Sequence, residues 1–308
     1  MTIAMVFPGQ GSQSQGMQSD LAEAYPAVAD TYAEASDILG YDLWALVQDG
    51  TAEELGKTTV TQPAMLTAGF AAWRCWNAAG GSAPQQMAGH SLGEYTALTC
   101  AGAVSFEDAL RVVMRRSELM QEAVPAGEGA MAAILGIDDQ VVIDVCNAAR
   151  QDGVADAVNF NSPGQVVIAG DLAAINRAVE LAKEQGARRA MILPVSVPAH
   201  SALMREAGEA LIEALANAAF SAPATPVISA SDALPYGDGD DIRARLSRQV
   251  SSPVQWVQTV QAMLAGGASR VVECGPGKVL TGLMRRIDRD TPTAFIDSND
   301  SLQQALQS

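Results

Sequence analysis

Residues 89–95 read GHSLGEY, and the path of the chain through them decides the fold. The residues before them, QQMA at 85–88, read as a short strand, and residues 92–101 read as a helix stopped by Gly102. A G-x-S-x-G sequence between a strand and a helix is the setting of a nucleophile elbow. So tight a turn brings backbones together, which asks for the smallest residues at Gly89 and Gly93. It also holds Ser91 in a strained conformation at the carboxyl edge of a sheet, where N–H groups at the start of the next helix face an incoming carbonyl oxygen.

Outward from this turn, short apolar runs alternate with longer helical patterns, which implies an α/β fold with a parallel sheet covered by helices. Residues 3–7 read as a strand ending in the loop PGQGSQ, and residues 17–39 and 63–79 as helical. The run AMLTAGFAAWRCW is too apolar all round for a surface helix and is expected to be buried. Strands at 226–229, 270–273 and 293–296 would complete the main sheet. The middle of the chain has its own rhythm. A strand at 130–135, a helix at 138–149, strands at 155–160 and 165–169, a helix at 172–185 and a strand at 187–195 spell βαββαβ, the ferredoxin-like order. Between its central strands, NSPGQ sets Pro163 and Gly164 where a type II turn wants them. The composition break PAGEG at 125–129 and the phrase VPAH at 197–200 bound this unit. The expected organisation is therefore a main domain of residues 1–126 and 197–308, carrying an inserted subdomain of residues 127–196.

Bulk properties limit the function. With 308 residues, 48% of them hydrophobic, the chain can build two cores. It has no apolar run long enough to span a membrane, and its first residues, MTIAMVFPGQ, lack the features of a signal peptide, so a cytoplasmic location is expected. The four cysteines stand far apart without C-x-x-C spacing, which supports neither a disulfide framework nor a zinc site. A net charge of −16 repels nucleic acid and anionic membranes, so any acidic partner must find a local basic patch.

Ser91 needs a base, and the chain has two histidines, His90 and His200. His90 adjoins the serine, and neighbours on an extended segment point to opposite sides, so its ring is expected to face away. His200 follows a strand at the expected sheet edge and opens the helical sequence SALMREAGEALIEALA, whose N-terminus would keep the imidazole neutral. His90 with Glu94 has the spacing of a metal pair but lacks a third ligand, so no metal is expected.

A second anomaly lies in the helix 106–124. Ala109, Val113 and Met120 share one face, and Arg116 falls in the middle of that apolar stripe. A buried guanidinium needs an anionic partner. Either an internal carboxylate or a substrate carboxylate, gripped by the planar fork, would serve.

FPGQGSQ at 7–13, TQPA at 61–64, GHSLGEY, the RRSELMQE helix, NFNSPGQVVIAG at 159–170, VPAHSALM at 197–204, SSPVQW at 251–256 and GPGKVLTGL at 275–283 together resemble the bacterial malonyl-CoA:acyl carrier protein transacylase family, almost end to end. The resemblance implies an α/β-hydrolase-like core with a ferredoxin-like insert. It implies that Ser91 is the nucleophile, His200 its base, and Arg116 the grip on a malonyl carboxylate. Backbone N–H groups of Gln10 and Leu92 would form the oxyanion hole, Gln249 would orient the histidine, and Asn161 would lie near the mouth of the substrate cleft. The implied reaction moves a malonyl group from malonyl-CoA to the phosphopantetheine thiol of acyl carrier protein through a serine ester. No cofactor is implied, and a monomer is expected. Cys274 departs from the family pattern, where a valine or similar residue is expected. Two alternatives are a serine esterase or thioesterase on a similar core, and a non-catalytic module that binds acyl carrier protein. The phrases GEGAMA and GPGK lack the context of a dinucleotide fold or a P-loop.

Overall fold

The computed structural model describes residues 2–195 and 197–307; Ser196, the last residue of the expected subdomain, lies outside the described residues. The chain opens with β1 (Ile3–Phe7), buried along its whole length. Five helices follow, α1 (Ser19–Ala24), α2 (Pro26–Leu39), α3 (Leu43–Asp49), α4 (Ala52–Gly56) and α5 (Thr58–Ala78). The short helices α3 and α4 were not expected, yet each carries its own start signal. Asp42 accepts the Ala45 N–H at 2.9 Å, and Thr51 and Glu54 form a reciprocal capping box. Helix α5 begins before Pro63, which therefore lies inside it; packing of its largely buried surface outweighs the break that proline suggests.

Strand β2 (Gln86–Gly89), helix α6 (Gly93–Cys100) and helix α7 (Phe106–Glu122) complete the first part of the main body. The inserted segment then runs β3 (Gly129–Leu135), α8 (Asp139–Arg150), β4 (Ala155–Ser162), β5 (Gln165–Asp171), α9 (Leu172–Glu184) and β6 (Arg189–Ile192). Its four strands form a sheet of their own in the order β4-β5-β3-β6, with antiparallel neighbours throughout. Ile134, Val145, Ile168 and Ile175 are among the residues of a separate core beneath it. Strand β6 is shorter than expected, and Met191 and Ile192 are exposed on it because it is the sheet's edge.

After a 3₁₀ turn at Ala202–Met204 come α10 (Arg205–Ala216), β7 (Val227–Ile228), α11 (Gly239–Gln249), α12 (Trp256–Ala265), β8 (Arg270–Cys274), α13 (Val279–Ile287), β9 (Thr293–Ile296) and α14 (Asn299–Gln307). The main sheet is parallel, in the order β7-β2-β1-β8-β9, with β1 at its centre. Burial on both faces explains why β1 reads as a continuous apolar run rather than an alternating one. Strand β4 is joined to the main body by backbone bonds, from Val254 N–H to Val158 O at 2.8 Å and from Phe160 N–H to Val254 O at 2.9 Å. Among the described residues no helix is long and apolar enough to cross a membrane.

Candidate active site

Strands β1 and β2 pair in a register that sets Phe7 beside Gly89, so both chains leave the sheet at the same edge. The turn after β2 is as tight as the sequence demands. A Cβ on Gly89 would sit 1.8 Å from the Gly93 carbonyl carbon, and one on Gly93 would sit 2.0 Å from the Phe7 oxygen. Ser91 between them has φ 53°, a left-handed conformation that costs a non-glycine residue of order 1–3 kcal/mol. The loop after β1 presses on the same turn, since a Cβ on Gly9 would meet the His90 oxygen at 2.5 Å. Gln10 and Leu92 thus line one cavity with Ser91. Among the described residues, no hydrogen bond takes up the backbone N–H of either.

His200 Nε2 lies 2.7 Å from Ser91 Oγ. Its Nδ1 faces the main-chain carbonyls of Gln249 at 2.9 Å and Ser252 at 3.0 Å. Carbonyls only accept, so Nδ1 carries the proton and Nε2 offers its lone pair to the serine hydroxyl. The expected position of His200 in the first turn of a helix is not what is found. His200 stands before the 3₁₀ turn with φ 67°, held by a bond from its N–H to the Val250 oxygen. Its neutrality therefore has another origin: burial first, and the Arg116 charge second, push its pKa down to about 3.

Arg116 is 2% exposed, as its place in the apolar stripe of α7 foretells. Its Nη1 donates to Gln62 Oε1 at 2.5 Å, and its Nη2 to Gln249 Oε1 at 3.0 Å and Ser91 Oγ at 3.3 Å. All three acceptors are neutral. Arg116 Nε has no hydrogen-bond partner among the described residues, and the ring of Tyr95 lies 5.5 Å from the guanidinium carbon. It is the main-chain carbonyl of Gln249, not its side chain, that bonds the imidazole. Its amide instead donates to the Ser91 carbonyl at 2.8 Å and to Glu94.

Gln62 and Ser252 were not singled out in the sequence, and Glu94 was considered there only as half of a metal pair with His90. The Glu94 carboxylate, fully buried on α6, also accepts from the Ala230 N–H and the Tyr236 hydroxyl, both at 2.9 Å. This fixes which way the Gln249 amide faces, with its oxygen toward Arg116. An acid in a helix buried all round is the same kind of sequence signal as Arg116 in its apolar stripe.

The cavity over Ser91 holds about 130 Å³. Main-body residues Ser91, Arg116 and His200 form its polar end, while Met131, Val167, Leu193 and Val195 of the inserted segment form an apolar wall. His90 also lines it, while its ring meets two residues outside that lining: Nε2 lies 2.8 Å from Asn161 Oδ1, and the ring 5.4 Å from that of Trp256. Asn161 thus touches His90, while Asn159 faces the cavity with an unpartnered Oδ1. Among the described residues no group of three or more metal-ligating side chains comes together.

Comparison with known proteins agrees along the whole chain. The acyl transferase domain family matches residues 4–294. A malonyl CoA-acyl carrier protein transacylase of Escherichia coli (strain K12) is 53% identical over 305 residues, covering 99% of each chain. The crystal structure of an acyl carrier protein S-malonyltransferase from Vibrio cholerae superposes with a TM-score of 0.96 at 51% identity, again covering 99% of both chains. A malonyl-transacylase in complex with a type II polyketide acyl carrier protein gives a TM-score of 0.98 at 50% identity, covering 100% of this chain and 99% of that one.

Proposed function

Because the chain belongs to the acyl transferase family, we propose that the site around Ser91 carries malonyl groups from malonyl-CoA to the phosphopantetheine thiol of acyl carrier protein. One observation carries the choice of acyl group. The buried Arg116 guanidinium contacts the nucleophile and, among the described residues, donates only to neutral acceptors, which leaves its charge for a substrate carboxylate. In acylation the Ser91 proton passes to His200 Nε2, the oxygen attacks the thioester carbonyl, and coenzyme A leaves with that proton. The oxyanion would be received by the Gln10 and Leu92 N–H groups. The carrier's thiol then attacks the malonyl-serine ester, and the cycle is ping-pong.

The four-stranded sheet order β4-β5-β3-β6 within βαββαβ supports a ferredoxin-like insert of residues 127–196, and the parallel sheet supports a hydrolase-like core of residues 1–126 and 197–308. A monomer working in the cytoplasm without a cofactor belongs to the same proposal, and the net charge of −16 disfavours nucleic acid and anionic membranes as partners. Docking of an acidic carrier suits the basic residues on and flanking α13, Lys278, Arg285, Arg286 and Arg289, because Arg286 donates to Gln165 on β5 of the insert. Lys183 is already paired with Glu180 at 2.7 Å. Raising salt should then slow transfer to the carrier and leave the coenzyme A half-reaction unchanged.

Intact-mass measurement after mixing with malonyl-CoA tests the chemistry. The expected result is a malonyl adduct on Ser91 that persists without acceptor and discharges to a pantetheine thiol. Rapid loss of the adduct to water would instead indicate an esterase, and its absence would remove the nucleophile.

A further inference from the structure

The polar groups that meet at Ser91 bring one fixed positive charge and no negative one. Arg116 Nη2 and His200 Nε2 approach the same oxygen, at 3.3 Å and 2.7 Å. In a serine triad, a carboxylate behind the histidine stabilises the imidazolium formed as the serine attacks. Here the groups behind it are two uncharged carbonyls, those of Gln249 and Ser252. The imidazolium must therefore form beside a buried guanidinium, where water screens poorly.

Among the described residues no other group around the ring makes up the deficit. His90, beside the nucleophile, adds a base rather than an anion. On the opposite side, His200 shares a second cleft with Asp156 of β4, Arg150 and Cys146 of α8, and Arg205 of α10. Asp156 is paired with Arg150 at 2.7 Å and accepts the Ala202 N–H. Glu94 acts on Arg116 by charge across the Gln249 amide but does not bond it, its oxygens being held by Ala230, Tyr236 and Gln249.

Resting on malonyl as the cargo, we propose that the malonyl carboxylate itself supplies the missing charge: paired with Arg116, it lifts the guanidinium's hold on His200 and makes that histidine a competent base. Proton transfer from Ser91 Oγ to Nε2, with formation of the O–C bond, then leaves guanidinium and imidazolium balanced by substrate carboxylate and oxyanion. Breaking the C–S bond returns the proton from Nε2 to the departing sulfur. An acetyl group leaves the same transition state one positive charge in excess. Arg116 is thus a specificity residue twice over, through binding and through control of the base. The depressed pKa of His200 agrees, with burial its larger cause and Arg116 the second, so loading should recover only part of the shift.

The Ser91→Ala protein, which binds thioesters without reacting, permits a direct test. His200 is titrated by NMR in complexes with malonyl-CoA and with acetyl-CoA, using His90→Gln to assign the two histidines. The His200 pKa should be higher in the malonyl-CoA complex, by about one unit, as an opposite charge brought nearby implies. Equal values in the two complexes, with malonyl-CoA bound more tightly, overturn the proposal and leave the carboxylate clamp standing; equal affinities overturn the clamp itself. In the unsubstituted enzyme, the acid limb of kcat should lie at higher pH for malonyl than for acetyl transfer, and coincident limbs count against the proposal.

Discussion

Ser91 Oγ and His200 Nε2 lie 2.7 Å apart although 109 positions separate them in the chain. The hydroxyl has its base in place before substrate arrives. Replacing His200 with alanine should slow acylation by about 10²–10⁴-fold, the usual worth of a positioned base. Because the two residues act as a unit, adding Ser91→Ala should cost much less than the product of the two single losses. Single-turnover acylation followed by mass spectrometry measures both.

Arg116→Ala should divide the substrates. Each charge-assisted hydrogen bond to a carboxylate is worth about 1.5–3 kcal/mol, so losing a two-pronged grip should lower malonyl kcat/KM by about 10²–10⁴-fold. Acetyl transfer should be spared or improved, since the cation that weakens His200 is gone. Equal losses for the two acyl groups would show that Arg116 serves the fold rather than the cargo.

Glu273 offers a pH test away from the site. Its buried carboxylate accepts the Leu280 N–H at 3.0 Å and the Thr281 N–H at 2.7 Å at the start of α13, yet burial outweighs these bonds and pushes its pKa up to about 7. The folded state then binds the extra proton more readily than the unfolded chain. Stability from this group is fully present below its unfolded pKa and is lost as pH rises through about 7. The Tm of Glu273→Gln relative to the unsubstituted protein should therefore rise between pH 5 and pH 8. His200, with its lowered pKa, contributes stability that is lost as pH falls below its unfolded value, but it does so in both proteins and cancels from the difference.

Two glycines should respond oppositely to alanine. At Gly89 the new Cβ would lie 1.8 Å from the carbonyl carbon of Gly93, so Gly89→Ala should destabilise by more than about 4 kcal/mol or prevent folding. At Gly282, inside α13, nothing lies within 4 Å, and Gly282→Ala should stabilise by about 0.4–1 kcal/mol. Urea midpoints at constant slope decide both.

Much of this was legible because the signals are local. The strand, turn and helix around Ser91 follow from the spacing of two glycines, and the burial of Arg116 follows from counting around a helix. The βαββαβ run is written in alternating patterns. What escaped depended on distant meetings or on backbone that departs from regular elements. Glu94 finds Gln249 155 positions away, so only its oddity within a buried helix hints at a partner. His200 was expected in a helix because its neighbours favour one, whereas a left-handed residue just before the 3₁₀ turn has no periodic signature. The Asp42 cap of α3 and the Thr51–Glu54 capping box of α4 are written in the sequence, but those helices are too brief to show periodicity.

Nucleophile and base both sit on backbone with positive φ, 53° at Ser91 and 67° at His200. Neither would rest there in a free peptide, so their meeting is imposed by the surrounding sheet edge and loops. Catalysis should consequently be more fragile than shape. Mild urea or gentle warming would let either residue relax and silence turnover while circular dichroism still reports an intact protein, making activity the more sensitive gauge of how firmly this molecule is held together.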